Sequence, residues 1–99
     1  MATTYRRIGA VKTTFDVLEY LADCREPVTA SQVAADLGVP FATVMCHLAT
    51  QQDNGYVQVI GDKYKIGMKM AVFWARVKSA KESEIQDVQR DLRILNGEV

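Results

Sequence analysis

The sequence has one histidine and two cysteines in 99 residues, and its twelve basic side chains are balanced by twelve acidic ones. Each scarcity excludes something. His47 follows Cys46 directly, and adjacent helix residues point about 100° apart, so the two do not form a Cys–His catalytic pair. Two cysteines and one histidine do not make a zinc-site spacing either. No Gly-rich phosphate loop is present, because the six glycines sit at element boundaries. No apolar run approaches the length of a bilayer span, and no signal-peptide core follows Met1. Cys24 and Cys46 lie 22 residues apart with no C-x-x-C motif. That favours two buried or half-buried reduced thiols over a disulfide. The expectation is a cytoplasmic protein that is not an enzyme, with no cofactor, no metal and no membrane partner.

Internal repeats and low-complexity segments are missing too. The length leaves room for one small domain and one extra helix. A composition 48% hydrophobic and 24% charged is that of an ordinary globular chain with one modest core.

Net charge is zero, but its distribution is uneven. Residues 1–12 carry Arg6, Arg7 and Lys12 without an acid, and residues 13–62 carry seven acids against Arg25 alone. Residues 63–81 then hold six bases (Lys63, Lys65, Lys69, Arg76, Lys78, Lys81) and no acid. From Glu82 the chain is acidic again, five against two. A basic block of this kind suits a phosphate-facing surface.

The stretch from Val28 to Tyr56 organises the chain. Thr29 is a good N-cap, and Gln32 three residues later completes a capping-box pattern. Val33, Ala34 and Leu37 follow at helical spacing. Gly38 stops this helix, and Val39-Pro40 opens a second that runs to about Asn54, with Gly55 as its stop. Two short helices around a Gly-containing turn form a helix-turn-helix, whose second helix usually enters a DNA groove.

Around this unit the other elements fall into place. Residues 1–9 read as a flexible N-terminal arm. Ala10 to Cys24 form a core helix with an apolar stripe of Val11, Phe15, Leu18 and Ala22, widened by Val17 and Leu21. Arg25-Glu26-Pro27 ends it, because Pro27 restrains Glu26 away from helical geometry. Tyr56–Ile60 is a strand, Gly61-Asp62 a Gly-first hairpin turn, and Lys63–Ile66 the return strand, with Tyr64 and Ile66 on one face and both lysines on the other.

The fold class expected is therefore mainly α (α+β): a winged helix-turn-helix over residues 10–67, with a three-helix core and a two-stranded β wing. A C-terminal helical linker and dimerisation segment follows over residues 68–96. Met68 to about Lys81 read as one helix with a stripe of Met70, Phe73, Trp74 and Val77. Ser83 and Gln86 repeat the capping-box pattern, and Ile85, Val88, Leu92 and Leu95 step at heptad spacing. The phase between Val77 and Ile85 predicts a break or kink near residues 81–83. An apolar seam this long needs a partner, and a second copy of the chain is the cheapest one, so a homodimer is expected.

Four segments, A-V-x-x-x-F-D-V-L-E-Y-L-A, P-V-T-A-S-Q-V-A-A-D-L-G-V-P-F-A-T-V, N-G-Y-V and Y-K-I-G, together resemble the N-terminal DNA-binding domain of IclR-type transcriptional regulators. The likeness runs from about Ala10 to Met70, and weakly to the G-E-V at the C-terminus. In that family a linker helix joins the winged helix to an effector-binding domain, and the proteins work as dimers or tetramers. The resemblance implies double-stranded DNA as partner, without a small-molecule effector domain in this chain. It also marks departures. The position after the proline, where the family favours Lys or a similar residue, holds Phe41. The family's mid-helix Arg is Cys46, and its two core leucines are His47 and Gln51.

The candidate DNA-facing residues of the second helix are Phe41, Ala42, Thr43, Met45, Cys46, His47 and Thr50. Ala49 lies on the same face. Arg and Lys, the strong guanine readers, are missing there, so base reading would fall to Thr43, His47, Thr50 or Gln51, or to DNA shape. His47 reads either as a phosphate or base contact or as a half-buried residue making one hydrogen bond. The candidate phosphate contacts are Arg6, Arg7, Thr29, Ser31, Lys63, Lys65 and Lys69. The rival reading is a protein–protein interaction module of anti-repressor or adaptor type, because an apolar stripe of Phe41, Met45, Cys46 and Ala49 also suits a protein partner.

Overall fold

The computed structural model describes residues 3–98, so Met1 and Ala2 of the expected arm lie outside the described residues. The elements run α1 (Gly9–Asp23), β1 (Val28–Thr29), α2 (Ala30–Leu37), α3 (Phe41–Asp53), β2 (Val57–Ile60), β3 (Lys63–Ile66) and α4 (Lys69–Leu95). Their contacts divide the chain into two units, one up to Met68 and one from Lys69 onward.

In the first unit local signals set the helix ends. Thr29 Oγ1 accepts from the Gln32 amide at 3.2 Å and caps α2. Gly38 ends α2 in the left-handed region at φ 66°, where a side chain would be strained. The Val39 amide bonds back to Ala34 O at 3.1 Å, and Pro40 opens α3. The core is built from Val17, Leu18 and Leu21 of α1, Ala30, Val33 and Ala34 of α2, Val44 and Leu48 of α3, and Val28 and Val57 from the strands.

Three expectations need correction here. The wing is part of a three-stranded sheet, not a two-stranded one, in the order β1-β3-β2. Val28 pairs with Tyr64 and Thr29 with Lys63, antiparallel, so the start of the helix-turn-helix is tied directly to the wing. The core stripe of α1 is also rotated. Val17, Leu18 and Leu21 are buried, whereas Val11 (47%) and Phe15 (58%) are exposed, as is Ala22. The reason is that α1 meets α2, α3 and β3 through the edge it shares with Thr14 and Tyr20, leaving Val11 and Phe15 on the neighbouring face. Finally, α1 begins at Gly9 and ends at Asp23, which trims the arm and leaves Cys24 as the C-cap.

Tyr20 links two of the core helices, its hydroxyl donating to Asp36 Oδ2 at 2.5 Å. That bond, followed by burial and the Asp36 charge, pushes the phenol up to about 12. A raised value means that the contribution is complete below the ordinary tyrosine range near 10 and is lost as pH climbs through 12. In a phenolate absorbance titration one tyrosine should ionise only near pH 12, and Tyr20→Phe should remove that step.

Gly67 closes the wing. Its amide donates to Tyr56 O at 2.7 Å. A Cβ there would sit 2.6 Å from Gly55 O, a backbone atom that cannot swing aside. Gly67→Ala is therefore expected to cost on the order of 2 kcal/mol in a denaturant melt.

The second unit is α4, a single helix from Lys69 to Leu95, so the break expected near residues 81–83 does not occur. No proline or glycine interrupts it, and Lys81 pairs with Glu84 at 3.3 Å across that point. The apolar phase also runs on. Val77 and Val88 are eleven residues apart, which at about 100° per residue brings them within about 20° of one direction. The stripe is thus two heptad segments joined by a four-residue stutter at Lys81. Among the described residues, no single helix is long and apolar enough to cross a membrane.

Candidate nucleic-acid interface

The inner edge of α3 is Val44, Leu48 and Gln51, all buried. Everything opposite is exposed: Ala42, Thr43, Cys46, Ala49, Thr50 and Asp53. One flank, Phe41 and Met45, meets α2 and the wing, and the other flank, His47, meets α1. Phe41 is 53% exposed while Met45 is half-buried, with the Tyr64 hydroxyl 3.9 Å from its sulfur.

The expected contact residues fall into separate groups. Thr29, Ser31, Phe41 and Met45 line one open recess together with Ala30, Asp62 and Tyr64, so the starts of α2 and α3 converge on the wing. Lys63 and Lys65 are exposed on β3 beside it, opposite Ile60 and Gln58 on β2. Neither lysine has an ion-pair partner among the described residues. Arg6 and Arg7 do not join this group. They line a different recess, with Ile8, Val11, Lys12 and Phe15. Lys12 is held by Asp16 at 2.8 Å, and that hydrogen bond, with the Asp16 charge, raises its pKa. Lys69 belongs to the second unit.

His47 is half-buried. Its Nδ1 lies 2.5 Å from Thr14 Oγ1 across the α1–α3 contact. Gln51 Nε2 donates to Thr14 O at 3.0 Å. This polar junction was beyond the reach of sequence pattern, because Thr14 lies 33 and 37 positions from its partners. Gln51 is no base reader, being 3% exposed, and its Oε1 is buried without a partner. An orphaned acceptor costs about 1–3 kcal/mol. Gln51→Leu, of similar volume, should therefore raise stability by about 1 kcal/mol, whereas Gln51→Ala should lower it by about 2 kcal/mol. Thermal melts of the two variants would check the opposite signs.

The remaining polar groups of α3 are few. Thr50 Oγ1 donates to Cys46 O at 2.9 Å, and Asn54 Nδ2 to Thr50 O at 2.8 Å. Thr43 is exposed, and so is Gln52, which the pattern reading passed over. Cys46 is exposed rather than half-buried, because it sits directly opposite the buried edge of α3, and Cys24 is half-buried with its thiol on Tyr20 O. Both are free thiols.

On α4, Met70, Phe73, Trp74, Val77, Ile85, Val88, Leu92 and Leu95 are all exposed, and the helix has no buried residue. Val72 and Ile94 are exposed apolar residues that the stripe did not include. Arg76 lies over the Phe73 ring, 5.7 Å from its centre. Among the described residues, no group of three or more His, Cys, Asp or Glu side chains could hold a metal ion.

Residues 10–60 match the IclR helix-turn-helix domain. No curated protein matches the chain. Among solved structures, an IclR-type transcriptional regulator from Alicyclobacillus acidocaldarius is similar at 23% identity and TM-score 0.68, over 73% of this chain and 30% of that one. The IclR of Thermotoga maritima is similar at 17% identity and TM-score 0.66, over 72% of this chain and 29% of that one. A Zalpha domain from Cyprinid Herpesvirus3, solved with Z-DNA, reaches TM-score 0.53 at 21% identity, over 57% of this chain and 93% of that one. At these identities the likenesses establish the winged-helix fold. The chain spans about a third of the length of the regulators it matches.

Proposed function

The chain belongs to the IclR helix-turn-helix family of DNA-binding regulator domains, not an enzyme family, and from that premise we propose that it binds duplex DNA as a small transcriptional regulator. In this reading α3 enters the major groove while Lys63 and Lys65 meet the backbone phosphates. The observation that carries it is the convergence of Thr29, Ser31, Phe41 and Met45 on one recess at the wing. That convergence is what a winged helix needs to grip a groove and its flanking phosphates together. Arg6 and Arg7 are assigned to a separate backbone contact, and Lys69 to a further one.

Affinity in this account comes mainly from phosphates, because α3 offers no Arg or Lys to a base. It should therefore fall steeply with salt, by about 0.9 log units per log unit of salt for each phosphate neutralised. Fluorescence anisotropy with a random duplex at two salt concentrations tests this. Binding that weakens with salt is expected, and no binding at low salt would contradict it.

The exposed apolar stripe of α4 supports a homodimer as the working form, with the stripe as the shared surface. Sedimentation should show a species heavier than the 11.0 kDa chain. A second reading, a protein-interaction module, has one observation in its favour. Phe41 is a large apolar side chain left 53% exposed at the start of α3.

A further inference from the structure

Several hydrogen-bonding groups of α3 are engaged within the protein, while the side chains of Thr43 and Gln52 stay exposed. His47 Nδ1 is bonded to Thr14 Oγ1, and Gln51 Nε2 to Thr14 O. The Thr50 hydroxyl donates to Cys46 O, which leaves its methyl group and the acceptor side of its oxygen to meet a ligand. Between these, Ala42, Cys46 and Ala49 follow one another at four and three residues, a single line along the outward face, and all are exposed. The line presents methyl groups and a thiol. It carries no charge until Asp53, at the C-terminal end of the helix. Its side chains are also short, so the backbone of α3 can come close to the floor of a groove.

A close, apolar surface cannot distinguish donors from acceptors. The feature it can distinguish in a major groove is the methyl group on C5 of a pyrimidine. We infer that α3 reads 5-methylpyrimidines, thymine or 5-methylcytosine, through Ala42, Cys46, Ala49 and the methyl group of Thr50. This inference rests on the DNA-binding reading above and adds its specificity. Two exposed wing lysines against the single Asp62 of the adjoining recess favour DNA over an apolar protein partner. Lys63 and Lys65 stand exposed on the wing, beside the recess that holds Phe41 and Met45. Asp53 would be repelled by phosphates, which favours entry by the N-terminal half of α3.

The test uses the full chain and four short duplexes of equal length. One is A·T-rich, and a second has the same sequence with uracil for every thymine. The third is G·C-rich, and the fourth is the same with 5-methylcytosine for every cytosine. Removing the methyl group leaves the base-pair edges otherwise unchanged. Thymine should be preferred over uracil by about fourfold for each methyl group covered, and 5-methylcytosine over cytosine likewise. Ala42→Ser with Ala49→Ser, both at exposed positions, should shrink both ratios while leaving the salt dependence intact. Equal affinity for the thymine and uracil duplexes would overturn the inference and leave DNA binding standing. A preference in the thymine pair alone would overturn the assignment to the methyl group. Failure to bind any of the four at low salt would overturn the DNA-binding reading and the inference with it.

Discussion

Reversing the charge of the wing should nearly abolish duplex binding: Lys63→Glu with Lys65→Glu is expected to weaken affinity on the order of a hundredfold at about 0.1 M salt. Both side chains project from β3, whose other residues, Tyr64 and Ile66, are half-buried under the sheet. Neither lysine has an acidic partner to release, so the substitution removes two positive charges from a site where phosphates would sit and adds two negative ones. The slope of log affinity against log salt should also fall by about two, the value for two lost phosphate contacts. The fold should not change. Lys63 follows the Gly61-Asp62 turn and pairs with Thr29, so the melt of the double variant is the control, and an unaltered melt would assign the loss to the interface. Undiminished binding by the double variant would show that the wing is not the phosphate contact.

The second large effect lies on the buried side of the same helix. Leu48 is fully buried in the hydrophobic core, and with Val44 it marks the inward face of α3. Leu48→Ala should cost about 3 kcal/mol through lost burial and the cavity left behind. In a domain this small that lowers the melting temperature by more than about 12 °C. DNA binding should fall with it once the folded fraction drops. Ala49→Ser, one residue further along on the exposed face, should leave the melt almost unchanged. The contrast between neighbouring positions tests the orientation of α3 without reference to any ligand.

What was legible in the sequence was what neighbouring residues decide among themselves. Thr29 as cap, Gly38 as stop, Pro40 as opener and Lys63–Ile66 as return strand all follow from contacts within a turn or a hairpin. What was not legible depended on distant partners. β1 is two residues long, too short for any periodicity, and exists because Val28 and Thr29 find Tyr64 and Lys63 across the fold. The rotation of α1 depends on which of two adjacent apolar edges the rest of the core covers, and Val11–Phe15 was as good a candidate as Val17–Leu21. The kink expected in α4 came from reading its stripe as strict heptads. On a 3.6-residue helix the same residues stay in line, with the Lys81–Glu84 pair set among them.

The site was legible to a similar depth. The apolar character of the α3 face, and its want of Arg and Lys, stand in the sequence itself. That His47 and Gln51 turn inward to Thr14, and that Thr50 bonds to the helix backbone, needed three dimensions. Those bonds are why the proposal puts the affinity on the wing lysines and the base reading on methyl groups.

In the proposed function, α3 and the wing together form the DNA-facing edge of this domain. Amide chemical shifts of the full chain, followed by NMR during titration with a short duplex at low salt, test it most directly. The shifts should concentrate in the first half of α3, from Phe41 to Ala49, and in the wing from Gly61 to Lys65. Shifts confined to the Ile8–Val11–Phe15 recess, or none at all with duplex in excess, would contradict it.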